Sequence, residues 1–320
     1  MPIHPAFAAH LHLLDSVPSF ADSGGDRAAM GPFDEYHRAT TFGEPPTVPT
    51  RAEAAPGPHG SVPVRVYEPA DSGTDRSCLV WMHGGAFIFG DLDMPEADWV
   101  SRQVASRANA VVASVDYRLA VDGVTYPVPH DDVVAAIRWV RDEAASLGVD
   151  PARITVGGAS AGGNLAAGAA LRLRDVDGWI PAQLLLAYTT LHAVVPPPSP
   201  TLAAMMAEVP RLLRFLPSDR AGITTNYLGG PESLADGYAM PANAVLDGLC
   251  PTVLLNAEYD DLRPSAEAFA ASLAVAGVDV RQVLARGLLH GFLNHSAEIE
   301  PISQAFDLIA DVVAGHSGTR

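Results

Sequence analysis

The sequence contains no lysine: its 20 cationic residues are all arginine, set against 37 carboxylates for a formal charge of -17. Schiff-base and Ser-Lys chemistries are excluded, because both need a lysine amine. The acidic balance also argues against nucleic acid or an anionic membrane as a partner, since clustered cations hold either one. Cysteine is nearly as scarce. Cys78 and Cys250 are too few for a disulfide framework, and each opens an apolar run, so both are expected as buried, reduced thiols. No stretch approaches the roughly 18 consecutive apolar residues that a membrane helix needs. The first 23 residues lack a basic start, and His4, His10, His12 and Asp15 interrupt their apolar positions, which is not a leader pattern. A cytoplasmic setting is the expectation. No internal repeat is visible, and the only low-complexity segment is Pro196-Pro197-Pro198-Ser199-Pro200.

What is present is more specific. Gly158-Ala159-Ser160-Ala161-Gly162-Gly163 follows the apolar run Ile154-Thr155-Val156-Gly157 and opens an alanine-rich segment reaching Arg174. The order strand, sharp turn, helix presents a serine hydroxyl at the carboxyl end of a strand, above a helix amino end whose amides can stabilise an oxyanion. Small flanking residues suit such a strained turn, which leaves little room for Cβ atoms. Two further elements stand where this chemistry needs them. Cys78 to Met82 reads as a buried strand running into His83-Gly84-Gly85-Ala86-Phe87, and Leu254 to Asp260 is a strand ending in acid, followed later by His290-Gly291-Phe292. The chain order is Ser, Asp, His.

Hydrophobic residues make up 48% of the 320, enough for a large core in one domain plus a lid. Strands are predicted at 62–67, 78–82, 110–117, 182–188 and 278–284, and helices at 99–107, 133–147, 267–275 and 302–313. Their succession implies a mostly parallel sheet covered on both faces. Asp22-Ser23-Gly24-Gly25 and Gly31-Pro32 read as breakers among short helices in the first 45 residues. The segment from Leu202 to Leu216 carries more apolar residues than a short exposed helix should. Residues 1–45 and about 190–226 are therefore read as a helical cap.

These residues resemble the hormone-sensitive-lipase-like branch of the α/β-hydrolases, a group of carboxylesterases. The likeness rests on His83 to Phe87, Asp116-Tyr117-Arg118-Leu119-Ala120, Tyr126-Pro127 with Asp131-Asp132, Gly158 to Gly163, Tyr259 to Arg263, and His290-Gly291-Phe292. It implies an α/β-hydrolase fold, with an eight-stranded, mostly parallel sheet, helices on both faces and a helical cap. Ser160, Asp260 and His290 are then the catalytic residues, and the amides of Gly85, Ala86 and Ala161, with Gly84 as a further donor, form the oxyanion hole. No metal or cofactor is implied. The partner is a small-molecule ester, and pairing of the last strand or helix would make a homodimer. Three departures stand out. Ala86 occupies the place of a third glycine and narrows the pocket floor, Val121 replaces a proline, and Asp261 replaces the proline after the acid. Two adjacent carboxylates thus compete, and alignment on Leu262-Arg263 favours Asp260.

The implied reaction is hydrolysis of small to medium, short-acyl esters. The same nucleophile could serve an amidase, thioesterase, lactonase or acyltransferase, and a hydrolase scaffold could also be a non-catalytic ligand-binding protein. Other groups have plainer readings. His83 is expected to fix its loop, His295 to lie on the helix after His290, and His4, His10 and His12 to be solvated helix residues rather than metal ligands. Asp116 and Arg118 read as a pair bracing the loops. Asp91, Asp93, Glu96 and Asp98 read as solvated charge at a helix start.

Overall fold

Eight strands form one sheet: β1 (Thr50–Ala55), β2 (Val62–Tyr67), β3 (Arg76–Met82), β4 (Val111–Val115), β5 (Val149–Ala159), β6 (Gln183–Ala187), β7 (Thr252–Tyr259) and β8 (Val280–Leu289). The computed structural model describes residues 2–15, 17, 31–71 and 73–315. The spatial order is β1-β2-β4-β3-β5-β6-β7-β8. β1, β2 and β4 pair antiparallel, and every pairing beyond β4 is parallel. The central strands read as near-continuous apolar runs because both of their faces are covered. Along β3, Cys78, Val80 and Met82 enter one core layer while Leu79 and Trp81 enter the other. Cys78 and Cys250 are free and buried, and burial pushes both thiols up to about 12, where they are inert.

Nine α-helices are described: α1 (Pro5–Ala8), α2 (Gly31–Thr40), α3 (Pro95–Ala108), α4 (Val128–Asp142), α5 (Ala161–Arg172), α6 (Pro200–Met206), α7 (Pro217–Leu228), α8 (Arg263–Val275) and α9 (Glu300–Ala314). Residues of α4, α5 and α8 fill one core layer, and those of α3 and α9 fill the other. Apolar periodicity predicts starts at Trp99, Val133 and Glu267, yet α3, α4 and α8 begin about a turn earlier. Each opens with proline in its first turn, where the missing N–H costs nothing and the fixed φ suits a helix. Gly31-Pro32 likewise starts α2 instead of breaking the chain. The Asp22 to Gly25 breaker lies outside the described residues.

Phe7 of α1 and Tyr36 of α2 are buried in the α3/α9 layer, and the His4 amide donates to the carbonyl of Gly287 at 2.8 Å. Between β6 and β7 the chain leaves the sheet to make α6 and α7. Leu202, Met206 and Leu212 of this excursion are buried, which accounts for its apolar excess. No helix among the described residues is long and apolar enough to cross a membrane.

Candidate active site

β5, β7 and β8 are parallel neighbours in the sheet, with β6 between the first two, so their carboxyl ends open on the same side. Ser160 follows β5 and caps α5 with φ 52° and ψ −118°, a conformation that costs a non-glycine residue about 1–3 kcal/mol. Its amide donates to the carbonyl of Ala187 at 2.9 Å, and the Thr189 hydroxyl donates to its carbonyl at 2.7 Å. The glycines are sterically required. A Cβ on Gly162 would lie 2.2 Å from the carbonyl oxygen of Met82, and one on Gly158 would lie 2.4 Å from the carbonyl of Gly162.

Ser160 Oγ is 3.1 Å from His290 Nε2, and His290 Nδ1 is 2.8 Å from Asp260 Oδ2. A carboxylate only accepts, so Nδ1 carries the proton and Nε2 is left to accept from the serine hydroxyl. The other Asp260 oxygen accepts the Leu262 amide at 2.8 Å. Burial lowers the His290 pKa, but the charge and hydrogen bond of Asp260, with Glu96 and Asp261 adding to them, outweigh it and leave it raised. The rings of Phe215 and Tyr188 meet the imidazole edge-on, at 4.6 and 5.0 Å between centroids.

Asp261 is differently employed. Its carboxylate accepts Arg214 Nε and Nη2 at 3.1 and 3.0 Å, and the Phe215 amide at 3.0 Å. It ties the excursion between β6 and β7 to the turn after the acid.

In the loop after β3, Gly85, Ala86 and Phe87 all have positive φ. A Cβ on Gly85 would lie 1.9 Å from the carbonyl oxygen of Phe89, so glycine is required there. The amides of Gly85, Ala86 and Ala161 have no acceptor among the described residues, and Ala86 and Ala161 line the same cleft as Ser160. Gly84 does not fit its expected role as an oxyanion donor. Its N–H donates to Glu96 Oε1 at 2.5 Å, drawn back by a carboxylate behind the loop. Phe87 stacks on Tyr227 of α7 with centroids 3.9 Å apart and planes 9° apart. The Phe87 carbonyl accepts from the Ala120 amide, and the Ala120 carbonyl accepts from Asn226 of α7.

Glu96 corrects the reading of a solvated acidic cluster: it is only 2% exposed. One oxygen takes the Gly84 amide, and the other takes the Tyr188 hydroxyl and Asn294 Nδ2. Burial raises its pKa, and these hydrogen bonds only partly offset that. A signal was present in the sequence. Glu96, Val100 and Gln103 lie on one helical face at i, i+4 and i+7, and all three are buried. Glu96→Gln would set an amide NH2 against a donor and loosen the loop. It is expected to lower kcat about 10²-fold, with little change in KM, in steady-state ester assays.

Other expectations resolve as follows. Arg118 pairs with Asp132, not Asp116. His83 Nδ1 donates to the Gly84 carbonyl, and its ring stacks on Tyr117, holding the loop. His295 ends a short 3-10 turn instead of joining the next helix, and is buried against Thr40 and Phe7. His4 caps α1 by accepting the Ala6 amide. Asp98 is held by Tyr67 and Arg102.

The cleft around Ser160 is small and lined mainly by apolar side chains. Ala86, Ser160 and Ala161 line it together with Val195, Phe215, Ile223 and Thr224. None of the described residues before 45 lines it.

Residues 79–294 match a family model described as alpha/beta hydrolase fold. The chain is 39% identical over 250 residues to the carboxylesterase NlhH of Mycobacterium tuberculosis, covering 76% of this chain and 75% of that one. It is 33% identical over 238 residues to an arylesterase of Saccharolobus solfataricus, covering 73% of each. The structure of a hyperthermophilic esterase from Pyrobaculum calidifontis aligns over 100% of both chains with a TM-score of 0.83 and 30% identity.

Proposed function

The chain belongs to the α/β-hydrolase fold family and is a carboxylic ester hydrolase, and from that premise we propose that Ser160, His290 and Asp260 hydrolyse small to medium esters through an acyl-enzyme. The observation that carries the assignment of roles is the unbroken line from Ser160 Oγ through both imidazole nitrogens to Asp260, with steps of 3.1 and 2.8 Å. Oγ attacks the ester carbonyl carbon while Nε2 takes its proton, since an unassisted hydroxyl is a poor nucleophile at neutral pH. The resulting imidazolium is stabilised by the Asp260 carboxylate, which does not itself take the proton. The tetrahedral oxyanion is held by the amides of Gly85, Ala86 and Ala161; each such donor typically contributes about 10²–10³ in rate. His290 then protonates the departing alcohol. Water, deprotonated by the same nitrogen, attacks the acyl carbon and releases the acid, returning the proton to Oγ.

Residues 190–226 form the cap over this cleft, and the Ala86 methyl together with Phe215 favours short acyl chains. Rates on p-nitrophenyl esters from acetate to palmitate are expected to fall with chain length; a maximum at the laurate or longer would overturn the short-acyl assignment. Fluorophosphonate labelling followed by mass mapping tests the nucleophile, with Ser160 the expected site.

A further inference from the structure

Arg118, Arg138, Arg172 and Arg214 each sit against a carboxylate. Arg220 does not. It lies in the first turn of α7 and lines the cleft that contains Ser160. Its Nη1 donates to the backbone carbonyl of Asp261 at 3.2 Å, which fixes the guanidinium beside the acid-bearing turn without neutralising it. The carboxylates of Asp219, beside it in sequence, and of Asp261, whose carbonyl it holds, are engaged elsewhere. Asp261 accepts from Arg214 and the Phe215 amide, and Asp219 accepts the Leu216 amide. No carboxylate among the described residues reaches ion-pairing distance of Arg220. Val195, Phe215, Ile223 and Leu262 make the surrounding wall apolar, and the lowered local dielectric strengthens any charge pairing made there.

We propose that Arg220 is a specificity-determining residue that selects esters carrying a carboxylate close to the scissile bond. The proposal rests on the esterase reading above and names the substrate class for that site. A guanidinium can hold a carboxylate through two parallel charge-assisted hydrogen bonds. The chain's overall negative charge repels such substrates at long range, but at physiological salt that repulsion is screened beyond about 8 Å. Within the cleft the local pairing decides.

The test compares wild type with Arg220→Gln on two matched pairs of substrates. One pair is mono-p-nitrophenyl glutarate against p-nitrophenyl valerate, with the charge on the acyl side. The other is 4-acetoxybenzoate against its methyl ester, with the charge on the leaving alcohol. Glutamine retains a donor for the Asp261 carbonyl, so loss of charge is separated from loss of the tether. In at least one pair, the ratio of kcat/KM for the charged over the neutral ester is expected to fall about 10–100-fold, and the pair that responds identifies the side. Arg220→Glu is expected to turn the preference toward acetylcholine over 3,3-dimethylbutyl acetate. In wild type alone, free glutarate should inhibit neutral-ester hydrolysis competitively where glutaramide does not, which decides the matter even if a variant misfolds. Unchanged ratios in both pairs, or a uniform loss on all esters, overturn the proposal and leave Arg220 as a tether of α7. No turnover of the neutral esters by wild type would instead strike at the esterase reading itself.

Discussion

Replacing Ser160 by alanine is expected to lower kcat about 10⁶-fold while the protein stays folded. The loss is large because, in the proposed mechanism, the hydroxyl oxygen forms the covalent bond to the acyl carbon. The residual rate comes from the oxyanion amides and from binding, which the substitution leaves in place. Stability is expected to change by under about 1 kcal/mol. Ser160 makes no side-chain cap to α5, so the helix loses no N-terminal hydrogen bond, and alanine carries the same backbone strain as serine. A thermal melt and kcat on p-nitrophenyl acetate check both halves. Turnover within 100-fold of wild type would remove Ser160 from its role.

Asp260→Asn is expected to cost about 10⁴ in kcat, whereas Asp261→Asn should cost no more than about 10-fold in kcat/KM. At position 260 an amide would present N–H to Nδ1, forcing the proton to Nε2, where it faces Ser160 Oγ and blocks base catalysis. At position 261 the change weakens a clamp on Arg214 and Phe215 without touching the imidazole. The pH profile gives a second reading. As the proposed base, His290 must be neutral, and its pKa is raised above the ordinary imidazole value, so kcat/KM is expected to fall as pH drops through that raised value. Removing the Asp260 charge takes away the largest influence holding the pKa up and leaves only Glu96 and Asp261 to oppose burial, which disfavours the imidazolium. The acidic limb should therefore move to lower pH in Asp260→Asn. An inverted ranking of the two variants would make Asp261 the acid.

Much of the architecture was legible in residue order. Val62 to Val66 alternates along a strand, with Pro63 exposed and Arg65 half-buried between buried valines, and Cys78 to Met82 is apolar throughout because helices cover both faces. The helix starts were misjudged for one physical reason. Apolar periodicity set them at Trp99, Val133 and Glu267 and passed over Pro95, Pro129 and Pro264, yet in a first turn proline interrupts no hydrogen bond. At the site, motif order gave the serine, histidine and two candidate acids. Only alignment on Leu262-Arg263 favoured Asp260 over Asp261, because what separates them physically is which side of one turn each carboxylate takes: Asp260 faces the imidazole and Asp261 faces Arg214. Glu96 and Gly84 were misread together. A glutamate near other acids looks solvated until the loop folds back and delivers an amide to it, a contact between residues twelve apart that leaves no local pattern.

The stack of Phe87 on Tyr227 binds the turn bearing Gly85 and Ala86 to the far end of the helix whose first turn bears Arg220. The helix thus links the proposed recognition point to the amides proposed to hold developing negative charge. On the proposed roles, substrate seated firmly at one end would steady the other, so that affinity gathered away from the reacting bond would be expressed as a faster chemical step. Poorly seated molecules would meet slack donors, and discrimination would appear in turnover as much as in occupancy.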